Sequence, residues 1–357
     1  MLMRKSIETS YGTWESNFDE FPKYITALQA SNPDTVVKWF HKPNDSSNVA
    51  TFKYIFWAFG PDIDAFRLCG PVIFVDGCHM KGSYKGKLLV VVTKDANNNI
   101  LHVAYVVVDE DSSHSWCWFL YQLRHFVAQD RKLCVISNRH QGIINAIENL
   151  QEWEEPLAYH RFCLRHIRSN FMKRYKNFSL KKLCWTIGST TLKRKFVTNM
   201  REWCLLYDEN RRWGILTTNI SESMNNALRG ARHLSIRACI DLTFNKTVQL
   251  FRKHSNVAMN CNIPLPSCMW HLFCNWDTRA QNHNLTKRLQ NCYKVMDKWH
   301  RRKYEFVHYF QQTCTCGKWQ IERLSCSHAL SVFLYKGDNP LSIVNNVYQS
   351  ISKASYF

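Results

Sequence analysis

Long apolar runs are missing from this 357-residue chain, and no stretch approaches the roughly 20 residues needed to span a bilayer. The opening residues Met1-Leu2-Met3-Arg4-Lys5-Ser6 lead into polar sequence rather than into the apolar centre of a signal peptide. Lipidation signals and basic amphipathic helices are lacking too, so a membrane is not the expected partner. There is no internal repeat and no low-complexity tract. Acidic residues are scarce: 28 carboxylates stand against 47 lysines and arginines, a net charge of +19. That excess favours a polyanionic partner, because each phosphate neutralised releases condensed counterions. Fifteen cysteines without a secretory leader read as reduced thiols and metal ligands rather than as a disulfide framework. The expectation is an intracellular, soluble, nucleic-acid-associated protein of about two domains.

What is present starts with a helical pattern over 11–30, with Trp14, Phe18, Ile25 and Leu28 near one face, where Pro22 kinks or restarts the helix. Two β-rich runs, Thr35–His41 and Ala50–Phe59, flank the turn-forming residues 43–48. Three more follow: Pro71–Asp76, Lys87–Lys94 and Leu101–Asp109. A helix over about 115–128, a strand over Leu133–Ser137 and a helix over about 141–150 come next. A strand over Ala158–Cys163 and a basic helix over about 164–176 complete the series. Three β-runs followed by α-β-α-β predict an α/β fold, a ribonuclease-H-like mixed sheet with flanking helices. Beyond it a helical C-terminal region and a small zinc-finger tail are expected. The predicted boundaries are a helix and β-hairpin over 1–60, the core over 61–176, a helical region over 177–260, a basic aromatic connector over 261–310 and the finger over 311–340.

The tail carries the sharpest motif. Cys314, Cys316, Cys326 and His328 read C-x-C-x9-C-x-H. Three thiolates and an imidazole are a tetrahedral zinc donor set, of the closed structural kind. The reading predicts that Gly317–Ser325 folds back as a β-hairpin, bringing the second ligand pair beside the first. Order and spacing resemble the SWIM zinc finger, as does the continuation Ser327-His328-Ala329-Leu330 into an apolar helix.

A ribonuclease-H-like nuclease needs carboxylates from several elements converging on two divalent ions. Asp76 ends the first core strand, although a lone Asp there is more often a turn residue. Asn138 stands after the fourth strand, where a second carboxylate is needed. Glu222, in the segment 217–225, falls in the first turn of a helix capped by Thr218 or Asn219, where favourable interaction with the helix dipole is the plainer explanation.

Several motifs resemble a plant Mutator-like element (MULE) transposase. These are Asp76-Gly77-Cys78-His79-Met80, Tyr84-Lys85-Gly86-Lys87-Leu88, Ser115-Trp116-Cys117-Trp118-Phe119-Leu120, Ile136-Ser137-Asn138-Arg139-His140, His160-Arg161-Phe162-Cys163-Leu164-Arg165-His166 and the 217–226 segment. The SWIM finger is that family's usual companion, and the resemblance covers about 11–335. It implies a D-D-E triad at Asp76, Asn138 and Glu222, with Mg2+ or Mn2+ as cofactor of an active enzyme beside structural Zn2+. It also implies an accessory C-x2-H pair, Cys163 and His166, of structural or substrate-positioning role; a buried satisfied pair is the competing reading. Asn138 departs from the family's Asp and leaves the triad degenerate. Met200 running almost directly into Arg201-Glu202-Trp203 makes the region look shortened. The N-terminal DNA-binding region of a full-length transposase is also expected to be absent.

Cations gather at Lys81, Lys85 and Lys87, along the helix bearing Arg165 and Arg168, at Arg229, Arg232 and Arg237, and in the run 298–303 with Arg301 and Arg302. Such residues position a protein on phosphates, and the last run also weakly matches a nuclear-import signal. The leading expectation is a transposase-derived zinc- and DNA-binding protein of the nucleus. Its ancestral DNA strand cleavage and transfer would be impaired. A domesticated transcriptional regulator of the far-red-impaired-response type, a SWIM-mediated protein-interaction module and a functionless remnant are the alternatives. The expected partner is DNA, either transposon ends or genomic sites, with a second copy or a protein bound through the finger.

Overall fold

The computed structural model describes residues 12–43, 50–189, 202, 204–205, 208–217, 228–259, 263–298 and 304–348. Two short helices open it, α1 (Trp14–Asp19) and α2 (Phe21–Ser31), with Pro22 in the first turn of α2, where its missing N–H leaves nothing unsatisfied. Phe21, Ile25 and Leu28 face inward from α2. The strands β1 (Val36–Pro43) and β2 (Ala50–Ala58) form an antiparallel hairpin, followed by α3 (Gly60–Leu68). Next come β3 (Val72–His79), β4 (Lys87–Lys94) and β5 (Ile100–Val108), then α4 (Ser113–Leu123), whose first turn is closed by a capping box between Ser112 and Ser115. The strand β6 (Leu133–Ser137), α5 (Gln141–Asn149), β7 (Ala158–Phe162) and α6 (Leu164–Tyr175) complete the core.

All seven strands join one sheet in the order β1-β2-β5-β4-β3-β6-β7. The pairs are antiparallel from β1 to β3, whereas β3–β6 and β6–β7 are parallel. Three antiparallel strands followed by two parallel ones joined through helices make the ribonuclease-H-like arrangement, and the β1–β2 hairpin widens it beyond β5. Strands such as β4 are apolar without alternation because both faces are covered. Ile73, Val75, Leu89 and Val91 point to the layer containing Trp116, Phe119 and Ile143. Val72, Phe74, Leu88, Val90 and Ile136 point to the opposite layer with Ile25, Cys239 and Ile240.

The region expected to be mostly helical holds α7 (Phe178–Gly188) and the long α8 (Ile236–Met259), while the described residues 208–217 between them are turns. Those turns carry a buried ion cluster. Arg161 Nε donates to Asp208 Oδ1 at 2.9 Å, and Arg212 donates to Asp208 through its backbone N at 2.6 Å and its Nε at 3.3 Å. Arg212 also donates to the Phe162 carbonyl at 2.9 Å, tying the turn to the end of β7. Burial pushes the Asp208 carboxyl up, against the pull of both guanidinium groups. The helix α8 crosses the sheet, with Thr243 accepting from Trp57 Nε1 at 3.1 Å and Thr247 donating to the buried Asp62 at 2.9 Å.

The stretch 261–310, expected as a connector, is more regular than its composition suggests. It contains α9 (Ser267–Ala280), β8 (His283–Leu289), β9 (Cys292–Asp297) and β10 (Tyr304–His308). With β11 (Thr313–Cys314) these strands form a second sheet, β11-β10-β9-β8. The connector and the finger therefore share one core, in which Phe273 and Trp276 meet Val295, Val307, Leu330 and Phe333. No helix among the described residues is long and apolar enough to cross a membrane.

Replacing Asp208 with Asn leaves two guanidinium groups buried against a neutral amide. The expected cost is about 3–5 kcal/mol, read as a lower urea midpoint at unchanged slope. The His160 ring accepts from or donates to Ser137 Oγ at 2.8 Å, and burial, aided by Arg161 and Arg212, lowers its pKa to about 4. The unfolded chain therefore holds a proton that the folded state lacks between about pH 4 and 6.5. Stability is full above that window and falls with acid by up to about 1.4 kcal/mol per pH unit from this group. His160→Gln is expected to flatten the pH dependence of the melting temperature over the same range.

Candidate metal centre and nucleic-acid interface

Parallel pairing of β3 with β6 runs Val72↔Cys134, Ile73↔Val135 and Phe74↔Ile136. Two residues further along each strand come Asp76 and Asn138, so they are lateral neighbours on one face of the sheet. The side chains meet: Asn138 Nδ2 donates to Asp76 Oδ1 at 3.2 Å, and the same oxygen accepts from the Gly77 N–H at 2.9 Å. Asn138 Oδ1 is turned back on its own loop, accepting from the His140 N–H at 3.0 Å. Asp76 was expected to end its strand, yet β3 continues to His79 because the β3–β4 ladder runs on to the pair His79↔Lys87. Gly77 packs closely there: a Cβ would lie 2.7 Å from a methyl of the buried Leu89, which would have to shift. Glu222 and its proposed caps Thr218 and Asn219 lie outside the described residues.

A second carboxylate stands at this end of the sheet, one that the motif reading passed over. Asp111 accepts from Lys87 Nζ at 2.5 Å and from Trp116 Nε1 at 2.6 Å, with His140 Nε2 3.5 Å away. Burial pushes its carboxyl up, but the hydrogen bonds from Lys87 and Trp116 outweigh this and hold it below the ordinary range. The signal was the acidic run Asp109-Glu110-Asp111 closing a strand, which resembles a turn more than a site.

The basic residues form a rim beside Asp76. Backbone N–H groups of Lys81 and Gly82 donate to the Arg232 carbonyl at 2.6 and 3.1 Å, fastening the β3–β4 loop to the turn that precedes α8. Lys81, Lys85 and Arg229 are exposed, and the partly buried Arg232 reaches the Cys78 thiol, two residues past Asp76. His233 belongs to the same patch: desolvation first, then Lys81, Arg232 and Lys85, lower its pKa. In the sequence Lys81 and Lys85 belong to one cluster and Arg229 and Arg232 to another, and nothing there marks His233. Arg165 and Arg168 lie on α6, both half-buried. That helix starts beside Asn138, because the Cys163 N–H donates to the Ser137 carbonyl at 2.9 Å. Arg301 and Arg302 lie outside the described residues.

Cys163 is fully buried at the N-cap of α6, and His166 follows within its first turn. No third His, Cys, Asp or Glu completes a metal-ligating group with them among the described residues, where one such group occurs. That group is Cys314, Cys316, Cys326 and His328, with all donor atoms within 4.8 Å of one another. Cys316 Sγ lies 3.6 Å from Cys326 Sγ, and His328 Nδ1 lies 3.7 and 4.0 Å from Cys314 Sγ and Cys326 Sγ. Zinc–sulfur bonds of about 2.3 Å at tetrahedral angles imply ligand separations of about 3.8 Å, so the donors fit that ion.

The hairpin expected between the ligand pairs does not form. Gly317, at φ 75°, turns the chain by the left-handed conformation and starts a short helix, α10 (Lys318–Glu322). Trp319 and Ile321 of α10 enter the core, and Gln320 clasps Cys314 by accepting from its N–H at 3.2 Å and donating to its carbonyl at 3.0 Å. His328 sits in the first turn of α11 (Ser327–Lys336). The ring of His283, on β8, stacks on it at 5.0 Å between centroids, while His283 Nε2 pairs with Ser327 Oγ at 3.2 Å. Hydrogen bonds from Cys314 and Cys326 hold the Cys316 thiol far below its ordinary value, whereas Cys314 is pushed far above it. Three thiols competing for protons in a buried nest are the arrangement that a divalent cation resolves.

No curated protein matches this chain. A family model of the MULE transposase domain matches residues 72–170, from the first residue of β3 into α6. A model of the SWIM zinc finger matches residues 305–337, from β10 to just past α11. The chain thus combines a MULE transposase domain, built on the Asp76–Asn138 sheet, with a SWIM zinc finger whose Cys3His cluster supports a structural zinc ion.

Proposed function

We propose that this transposase-derived, zinc-binding protein holds DNA at the open end of its seven-stranded sheet and cuts it poorly or not at all. The observation that carries the proposal is the pairing of Asp76 with an amide at the point where a rim of cations converges. A two-metal clamp needs carboxylate oxygens free to bridge cations. Among the described residues two carboxylates stand here, and Asp111 is already engaged with Lys87 and Trp116. The Asn138 oxygen is likewise engaged with the His140 N–H, and its amide nitrogen faces Asp76. This donor set does not fit the pair of Mg2+ or Mn2+ ions that strand cleavage would use. Glu222 is assigned as the third member of the ancestral set. In support, Leu228, just beyond that segment, is buried in the same layer as Phe74 and Ile136. The cations Lys81, Lys85, Arg229 and Arg232 would contact phosphates, with sequence-independent, salt-sensitive affinity. A DNA partner implies work in the nucleus, where Arg301 and Arg302 would serve in import or in DNA contact.

A protein-interaction role for the finger is the second reading. It rests on the apolar side chains exposed there, Phe310 at 72%, Leu334 at 54% and Tyr335 at 63%. A second copy or another protein would cover them.

Cys314→Ser and His328→Ala are each expected to reduce bound zinc, measured by elemental analysis, and to loosen α9–α11 while amide exchange of β3–β6 stays slow. Unchanged metal content in both would refute the four-ligand assignment. Zinc-loaded protein is expected to bind duplex DNA without added Mg2+ and to bind it no more tightly when Mg2+ is present. Asn138→Asp should restore plasmid nicking to at least about 100-fold above the natural chain, the factor expected from several kcal/mol of lost charge stabilisation. Nicking by the natural chain at the level of the variant would overturn the proposal.

A further inference from the structure

The helical hairpin formed by α6 and α7 has a surface unlike the rest of the molecule. Seven cations (Arg165, Arg168, Lys173, Arg174, Lys176, Lys181 and Lys182) lie within 164–188, and no carboxylate does. The hairpin also exposes an apolar set: Tyr175 at 53%, Phe178 at 76%, Leu180 at 36%, Leu183 at 48% and Trp185 at 37%. These are five of the fifteen exposed large hydrophobic side chains among the described residues, concentrated in 25 positions. Scattered single exposures are ordinary, whereas Phe178 and Trp185, seven positions apart on α7, share one face of that helix, a pairing that marks an interaction surface. Each exposed ring is accompanied by a cation. Arg168 lies 5.1 Å from the centre of Trp185, Arg174 5.6 Å from Tyr175, and Lys181 5.5 Å from Phe178.

Charge selects the occupant. A second copy of the hairpin would bring like charges together, so a self-paired interface is disfavoured. Rings interleaved with phosphate-binding cations are what an unpaired nucleic-acid strand requires, since every base has a face to stack and every nucleotide a phosphate to neutralise. Position agrees, because α6 leaves the sheet beside Asn138 through the Cys163 N–H to Ser137 carbonyl hydrogen bond. A strand splayed from a duplex held at the Lys81–Arg232 rim would reach the hairpin directly.

We propose that α6 and α7 form an arm that binds unpaired DNA, with Phe178 and Trp185 as base-stacking platforms and Arg165, Arg168, Lys181 and Lys182 as phosphate contacts. The inference rests on the DNA-binding function proposed above and specifies which form of DNA is preferred. Phe178→Ala is the test, because so exposed a side chain is removed without disturbing the core.

Zinc-loaded full-length protein would be titrated by fluorescence anisotropy against a single-stranded 20-mer, the blunt duplex, and that duplex with an unpaired tail. Tighter binding of the tailed duplex than of the blunt one, lost by about tenfold in Phe178→Ala with blunt-duplex affinity unchanged, is the expected result. Lys81→Ala should weaken both forms alike. Equal affinity for blunt and tailed duplex, unaltered by Phe178→Ala, would overturn the arm while leaving duplex binding intact. Failure to bind any of the three would overturn both proposals. Binding to phosphatidylserine vesicles that alone depends on Phe178 would assign the surface to a membrane instead.

Discussion

The parallel register between β3 and β6 governs the functional geometry of the core. Both strands are apolar and buried on two faces, so a slip by one residue would turn every side chain to the wrong layer. The same register makes Asp76 and Asn138 neighbours, starts α5 just beyond Asn138, and directs α6 from the adjacent β7 towards the same end. Once it is set, the chemistry of that end depends on the side chains placed there. Here they are a carboxylate hydrogen-bonded to an amide, beside cations from two loops. An amide holds the neighbouring strands together much as a metal-bridged carboxylate pair would, by a hydrogen bond instead of a shared cation. The fold can therefore persist without a second carboxylate at position 138.

The second module has a different logic. Its sheet is small and its strand β11 contains two residues, so its apolar core has little sheet to close on. Four ligands drawn from β11, the turn after it and the start of α11 supply the missing constraint. The ligand cluster also lies against α9 through the shared core of Phe273, Leu330 and Phe333. Contacts continue into the transposase sheet, where Cys268 donates to the carbonyl of Ala96 at 3.1 Å.

Much of this was legible in the residues. The limits of β4 and β6 follow from uninterrupted apolar runs bounded by Asp95-Ala96-Asn97 and by Asn138. The helix α4 follows from Trp116, Phe119, Leu120 and Leu123 at helical spacing. Less legible was 261–310, whose strand β8 is largely exposed and polar, while β9 offers only the short alternation of Tyr293 and Val295. Asp111 was obscured for a related reason: an acid in a turn gives no hint of a lysine, an indole and an imidazole arriving from three other elements.

Local chemistry by itself determined the order of the seven core strands, the donor set of the zinc site and the excess of positive charge, because each depends on residue type and short spacing. Only the tertiary structure decided which way Asn138 turns its amide and that Gly317–Glu322 winds into a helix rather than a hairpin. It also decided that Lys81 and Arg232, about 150 residues apart, form one rim. Those outcomes depend on hydrogen bonds and packing between segments distant in the chain, which no local pattern encodes.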